Sequence, residues 1–317
     1  MLADFAAHAH HPGVAAVAER IRTPPRVAVL GRPGVGRNAV AAALAASGVP
    51  LVDDGADAHV VVIAESLKPE ERTQIADAPA ASMVVLNKAD LTGADPGGPM
   101  VSADRRAARF ATTLDLPVVP MIAHLATVEL DADDVAALRA LVVTPADMTS
   151  TDAFCGSVHP LPAALRHRLL ARLDRFGLAH AVLAVADGAT GPEVVRQLRA
   201  LSGVDRVVEQ LAAVGAPARY RRVCSAVREL RTLAAQSGDE GIYAFLSSDE
   251  VVVAVMAAAV EVVQASGFVV DRGDEADAHV RRAVHWRRYT TGPVDRLHQR
   301  CAADITRGSL RLLGRAR

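Results

Sequence analysis

The chain has 317 residues, of which 51% are apolar and 22% charged, and a formal net charge of −1. That length is about twice a typical domain of roughly 150 residues, so two domains are expected. The balanced charge excludes a disordered polyelectrolyte and a generally basic nucleic-acid binder, which makes nucleic acid an unfavoured partner.

Residues 1–23 read as a helix with apolar spacing through Val14, Val17 and Ile21, ended by Pro24 and Pro25. Short apolar runs then alternate with helical patterns. Arg26–Leu30, Val49–Val52, Val60–Ala64, Ser82–Leu86 and Pro117–Met121 read as strands. Between and after them, helices are expected over 37–47, 68–77, 103–115 and 131–142. Continuous apolar strands separated by helices predict an α/β domain with a mostly parallel five-stranded sheet covered on both faces.

Residues 146–160 are rich in Thr, Ser, Asp and Pro and read as a linker between a domain over 1–145 and an all-helical domain over 161–317. Helical periodicity there covers 162–176, 192–201, 204–214, 217–236, 248–266, 276–289 and 294–313. Residues 180–186 (HAVLAVA) fit a strand or a helix. The charge changes sign between the halves: 12 Lys/Arg against 18 Asp/Glu over 1–150, then 23 against 18 over 151–317.

Cys155, Cys224 and Cys301 are widely spaced with no CxxC pair, which argues against a zinc cage or disulfide framework and for thiols in a reducing cytosol. The N-terminus lacks a basic n-region, so it is not read as a signal peptide. The longest apolar run, 251–260, is ten residues, half of the roughly 20 that span a bilayer. These features predict a cytoplasmic protein.

Two residue types are scarce. The only lysines are Lys68 and Lys88, and the only asparagines are Asn38 and Asn87. Both asparagines fall in segments that carry chemistry. Gly31-Arg32-Pro33-Gly34-Val35-Gly36-Arg37-Asn38 has the spacing of the phosphate loop G-x-x-x-x-G-K-[S/T], between a strand and a helix. Glycines let backbone N–H groups turn inward, and a helix N-terminus favours anions. Arg37 stands where Lys would reach phosphate oxygens, and Asn38 where a hydroxyl would ligate Mg²⁺. The alternative for this segment alone is a structural glycine turn.

Asn87-Lys88-Ala89-Asp90 follows the fourth strand pattern and matches N-K-x-D, a guanine-reading signature. Its Asp carboxylate can accept from the N1 and N2 donors of guanine, a pair that adenine lacks. With both motifs in place, residues 26–142 resemble the P-loop GTPases of the translation-factor-related class. The resemblance implies GTP or GDP as ligand, with Gly31, Gly34, Gly36, Arg37 and Asn38 at the phosphates and Asn87, Lys88 and Asp90 at the base. It also aligns Ile122-Ala123 with the family's guanine-contacting S-A loop, in which Ala123 matches and Ile122 does not.

The departures bear on catalysis. Only 15 positions separate Asn38 from Asp53, which leaves no room for a conventional switch I. The switch II pattern D-x-x-G is reduced to Asp53-Asp54-Gly55. Asp53 is the remaining candidate, with Asn38, for an Mg²⁺ site, and His59 is the nearest candidate to position water. Such losses imply slow or absent hydrolysis.

In the second half, Arg175-Phe176-Gly177, the segment Leu201–Val207, Tyr220 and the helix 223–235 are similar to helical regions of bacterial dynamin-like GTPases. That similarity implies action through a protein partner or a paralogous GTPase, at times at a membrane. Residues 281–289, RRAVHWRRY, form the basic and aromatic cluster of the chain. It reads either as a face for an anionic membrane surface or as a helix with Trp286 packed inward and its arginines solvated or paired; the second is favoured. The sequence therefore predicts a guanine-nucleotide-binding, GTPase-like protein with impaired hydrolysis. The alternatives are a slow GTPase completed by a partner and a nucleotide-free scaffold.

Overall fold

The computed structural model describes residues 11–78, 81–93 and 96–316, so the first part of the expected N-terminal helix lies outside the described residues. The chain divides into two compact units: Arg26–Leu211, and Met1–Pro25 together with Ala212–Arg317.

The Arg26–Leu211 unit is α/β. Its sheet has four parallel strands in sequence order, β1 (Val27–Leu30), β2 (Ala58–Ala64), β3 (Ser82–Asn87) and β4 (Val118–Pro120). Val60 to Ile63 and Met83 to Leu86 are all buried, as expected for strands covered on both faces. On one face Val61, Ile63, Val84 and Leu86 share a core with Ile75 and Ala107. These come from α3 (Pro69–Ala76) and α4 (Pro99–Leu114), which follow α1 (Pro12–Arg22) and α2 (Arg37–Ala46) in the chain.

The expected fifth strand at 49–52 is not formed. It shrinks to a single parallel bridge, Val27 to Leu51, held by Val27 N–H to Pro50 O at 2.9 Å and Val52 N–H to Val27 O at 3.0 Å. Asp53-Asp54-Gly55 follows at once and is exposed, so the chain has no further apolar residues with which to extend the pairing. The bridge still matters. Leu51 pairs on one edge of β1 and β2 on the other, so the connection out of β1 runs to one side and the connection out of β2, to β3, runs to the other. In open parallel sheets, ligands bind at the carboxyl end of the strand where this switch occurs. Here that end is Leu30, followed by the glycine loop.

The expected linker and domain boundary also fall elsewhere. After α5 (Ala132–Val143), residues 151–211 stay with the sheet unit as α6 (Thr151–Gly156), α7 (Ala163–Ala186), α8 (Gly191–Ser202) and the start of α9 (Val204–Ser237). Leu138, Leu141, Phe154, Leu169, Leu178 and Leu198 form one core across these helices. Polar bonds fix the same docking: the fully buried Asp134, in the first turn of α5, takes Arg168 Nη2 at 3.0 Å as well as the Arg172 guanidinium. Buried Arg166 donates to the Ser157 carbonyl at 2.8 Å and to the Phe154 carbonyl, which pins the 151–160 turn. The ambiguous stretch 180–186 is helical, the last part of α7.

The other unit is helical. It comprises α1, the C-terminal part of α9, α10 (Glu240–Ser247), α11 (Asp249–Ala265), α12 (Ala276–Arg287) and α13 (Arg296–Arg315). Val14 and Val17 of α1 pack with Ala226, Leu230 and Ile242, and Arg20 pairs with Glu229. A second core joins Met256, Val262, Trp286, Cys301 and Ile305. The expected break between 214 and 217 is absent, because α9 runs through Pro217 as one helix. Trp286 is buried, Arg282 is buried beside it, and Arg287 and Arg288 are exposed. That is the inward-packed arrangement of the basic cluster. Among the described residues, no helix is long and apolar enough to cross a membrane.

Candidate functional site

The glycine loop leaves β1 through Gly31, Gly34 and Gly36, whose φ values are 156°, 89° and 86°. Val35, between the last two, is fully buried and anchors the turn. Gly36 is the left-handed N-cap of α2 and carries no side chain that could cap it. The first N–H groups of α2 are therefore free to meet an anion. A Cβ at Gly36 would overlap the Asn87 amide nitrogen, so close approach as well as conformation requires glycine there.

Asn87 ends β3 and is 4% exposed. Its Nδ2 donates to the Val35 carbonyl at 2.9 Å, and its Oδ1 accepts the Ala123 N–H at 3.0 Å. One side chain thus ties the glycine loop to the turn Ala123–Thr127 that follows β4. Met121 N–H donates to Leu86 O at 2.9 Å and Ala89 N–H donates to Met121 O at 3.1 Å, which holds the Lys88–Asp90 and Ile122–Ala123 loops side by side.

These loops open onto a cavity of about 730 Å³, lined by Gly36, Asn87, Lys88, Asp90, Ile122 and Ala123. A second cavity of about 450 Å³ is lined by Gly31, Gly34, Gly36, Arg37, Asn38 and Lys88. Gly36 and Lys88 border both, so the two spaces adjoin. Nine of the ten expected site residues, Gly31, Gly34, Gly36, Arg37, Asn38, Asn87, Lys88, Asp90 and Ala123, thus come together. Asp53 does not: it is exposed and lines neither cavity. His59 lies on β2, also outside both cavities, with its Nδ1 buried and without a hydrogen-bond partner among the described residues.

The far wall of the larger cavity comes from α7 and was not expected from the sequence. It includes His167, Asp174, Arg175 and Phe176, with Thr151 of α6 beside them. Asp174 breaks α7, with φ 52° and ψ −179°, a region that is nearly closed to residues other than glycine. Gly177 lets the helix close in, since a Cβ there would meet Leu125 Cδ2 at 2.6 Å. Arg175 Nη1 donates to Thr149 O at 2.7 Å and braces the same wall. The signal in the sequence was the Arg175-Phe176-Gly177 triplet, which no local rule connects to the Lys88–Asp90 loop 85 positions earlier.

Electrostatically the cavity is mixed. Burial holds the Asp90 carboxyl above its ordinary range, and the nearby Asp174 carboxylate adds to this, while His124 and Lys88 oppose it. Lys88 itself is exposed and left-handed, with φ 58° and ψ 42°. At the other cavity Arg37 is exposed and its Nε lies 3.4 Å from Asn38 Oδ1. Arg32 is committed elsewhere, to the buried Glu71 at 2.8 Å. Among the described residues no three His, Cys, Asp or Glu side chains converge as a metal site. No protein-family model, curated protein or solved structure matches the chain.

Proposed function

We propose that the Arg26–Leu211 unit binds a guanine nucleotide, GDP or GTP, with hydrolysis slow or absent, and that the protein acts through a protein partner or paralogous GTPase. The observation that carries the reading is the Asn87 bridge, which joins a glycine loop at a topological switch point to the loops bearing Asp90 and Ala123. Two adjoining cavities of about 450 and 730 Å³ suit a ligand with an anionic end and a flat polar end.

In this reading the free N–H groups of the loop and of α2 take the phosphates, with Arg37 adding charge from the rim. Asp90 accepts the N1–H and N2–H of guanine, and the Lys88 stem lies along the base. Weak catalysis follows from what stands at the reacting end. Arg37 is a planar fork where a compact ammonium is usual, Asn38 offers an amide rather than a hydroxyl, and Asp53 stands apart. The protein's donors fit Mg²⁺ poorly, because Asn38 Oδ1 already faces the Arg37 guanidinium and Asp53 does not line the cavity. No step is assigned to a metal.

Calorimetric titration with GDP, GTP and ATP tests this. GDP and GTP are expected to bind and ATP not, and Asp90→Ala is expected to abolish binding. If no nucleotide binds at millimolar concentration, the reading fails and a nucleotide-free scaffold replaces it. Turnover that appears only with a partner and vanishes in Arg37→Ala would instead make the protein a slow GTPase. For the membrane role, anionic vesicles should sediment with the protein in a salt-sensitive way that weakens on replacing Arg287 and Arg288; failure to sediment at low salt removes it.

A further inference from the structure

The helical unit encloses a cavity of its own, of about 470 Å³. Four helices converge on it. From α9 come Cys224, Val227, Arg228 and Arg231, at i, i+3, i+4 and i+7, which is one face of a helix. From α13 come Asp304, Arg307 and Arg311, at i, i+3 and i+7. From α11 come Val251, Val252 and Val255, and from α10 Leu246 and Ser247. One wall is therefore aliphatic, and the rim carries four guanidinium groups against one carboxylate.

The arginines are not equivalent. Asp304 is already satisfied by the Tyr220 hydroxyl at 2.6 Å and by Arg307 at 3.0 Å. Arg311 is paired with Asp249 at 3.2 Å. Arg228 donates only to the Cys224 carbonyl of its own helix, at 3.3 Å, and Arg231 makes no hydrogen bond or ion pair among the described residues. Two uncommitted cations thus stand at the mouth of a cavity with an aliphatic wall.

We propose that this cavity binds a single-chain amphiphilic anion of the fatty-acid class, with its carboxylate on Arg228 and Arg231 and its chain along Val227, Val252 and Val255. Guanidinium forks match a carboxylate in a bidentate way. An inorganic anion would use the arginines and leave the aliphatic wall in water. A nucleic-acid base would need a stacking ring, and among the described residues no aromatic side chain lines the cavity. The volume lies within the range of small-ligand sites. Cys224 is a wall residue, and burial pushes its thiol up, so its thiolate forms only at alkaline pH.

Calorimetry on the full chain with decanoate, dodecanoate and tetradecanoate, each below its micelle threshold, tests the proposal. One molecule per chain is expected, with affinity rising about fourfold per methylene until the cavity is filled. Arg228→Gln/Arg231→Gln should weaken dodecanoate binding tenfold or more while leaving the urea midpoint unchanged, and dodecanol should bind as weakly to the unaltered protein. Bound dodecanoate should also slow alkylation of Cys224 at alkaline pH, read by peptide mass. Phosphate or acetate binding as tightly as dodecanoate would overturn the proposal. So would several molecules per chain, indifference to the double substitution, unprotected Cys224, or no binding.

Discussion

Asn87 and Val35 lie 52 positions apart, and a buried hydrogen bond of 2.9 Å from the Asn87 amide to the Val35 carbonyl joins them. The same side chain accepts the Ala123 N–H at 3.0 Å, so one amide satisfies two backbone groups that water cannot reach. Asn87→Ala leaves both unpaired and should cost about 2–4 kcal/mol of stability. Urea denaturation measures this. Asn87→Asp should not rescue it, because a carboxylate cannot donate to Val35.

Gly36 and Gly48 separate conformation from crowding. Both are left-handed, at φ 86° and 81°, but a Cβ at Gly48 meets nothing whereas one at Gly36 overlaps Asn87. Gly48→Ala should cost about 1–2 kcal/mol from backbone strain alone. Gly36→Ala should cost about 1–3 kcal/mol more, from forced displacement of Asn87. Equal losses in the two variants would show that the amide moves freely.

The break in α7 stores strain at Asp174, where φ is 52° and ψ −179°. Asp174→Gly should therefore raise stability by about 1 kcal/mol or more. Asp174→Asn keeps the shape and removes the charge, so it should lower the Asp90 pKa, which the Asp174 carboxylate helps to raise. Carboxyl NMR titration of Asp90 in both proteins reads the second effect.

Asp90 sets a pH dependence of known sign. Its folded-state pKa lies above the ordinary 3.8, mainly through burial, so the folded state holds its proton more tightly than the unfolded chain. The resulting stability is present below 3.8 and is lost as pH rises through the raised value. Asp90→Asn removes this loss, so its urea midpoint relative to the unaltered protein should climb over that window and then level off. On the proposed function the same variant loses GDP, and GDP binding to the unaltered protein should weaken as Asp90 takes up its proton at acid pH.

Arg282 and Arg287 lie in one basic run but do different work. Arg282 is 4% exposed and donates to Asp271 O at 2.8 Å, Gly273 O at 3.1 Å and Ser309 Oγ at 3.0 Å. Arg282→Ala strands these acceptors and should cost about 3–5 kcal/mol. Arg287 is exposed, and Arg287→Ala should change stability by less than about 0.5 kcal/mol. Thermal or urea midpoints of the two variants give the comparison.

Much of the α/β unit was legible in the sequence because its strands are buried on both faces and read as uninterrupted apolar runs, such as Val60–Ile63 and Met83–Leu86. The glycine loop and the Asn87–Asp90 run were legible because their residue types are rare in this chain and their spacing is local. What the sequence could not carry was anything that depends on distant segments meeting. Leu51 has the pattern of a strand, yet only one bridge to Val27 forms, because pairing ends where Asp53 and Asp54 turn to solvent. The Thr- and Ser-rich stretch at 146–160 looked like a boundary, but Leu169 and Leu198 share a core with Leu138. The helices after that stretch therefore stay with the sheet unit, and Asp174 reaches the cavity of Asp90. Composition and periodicity determined most of the segments that form elements and which loops are candidates for a binding site. Only tertiary packing decided which helices wall the candidate site, since an apolar helical face specifies that it must be covered and leaves open by what.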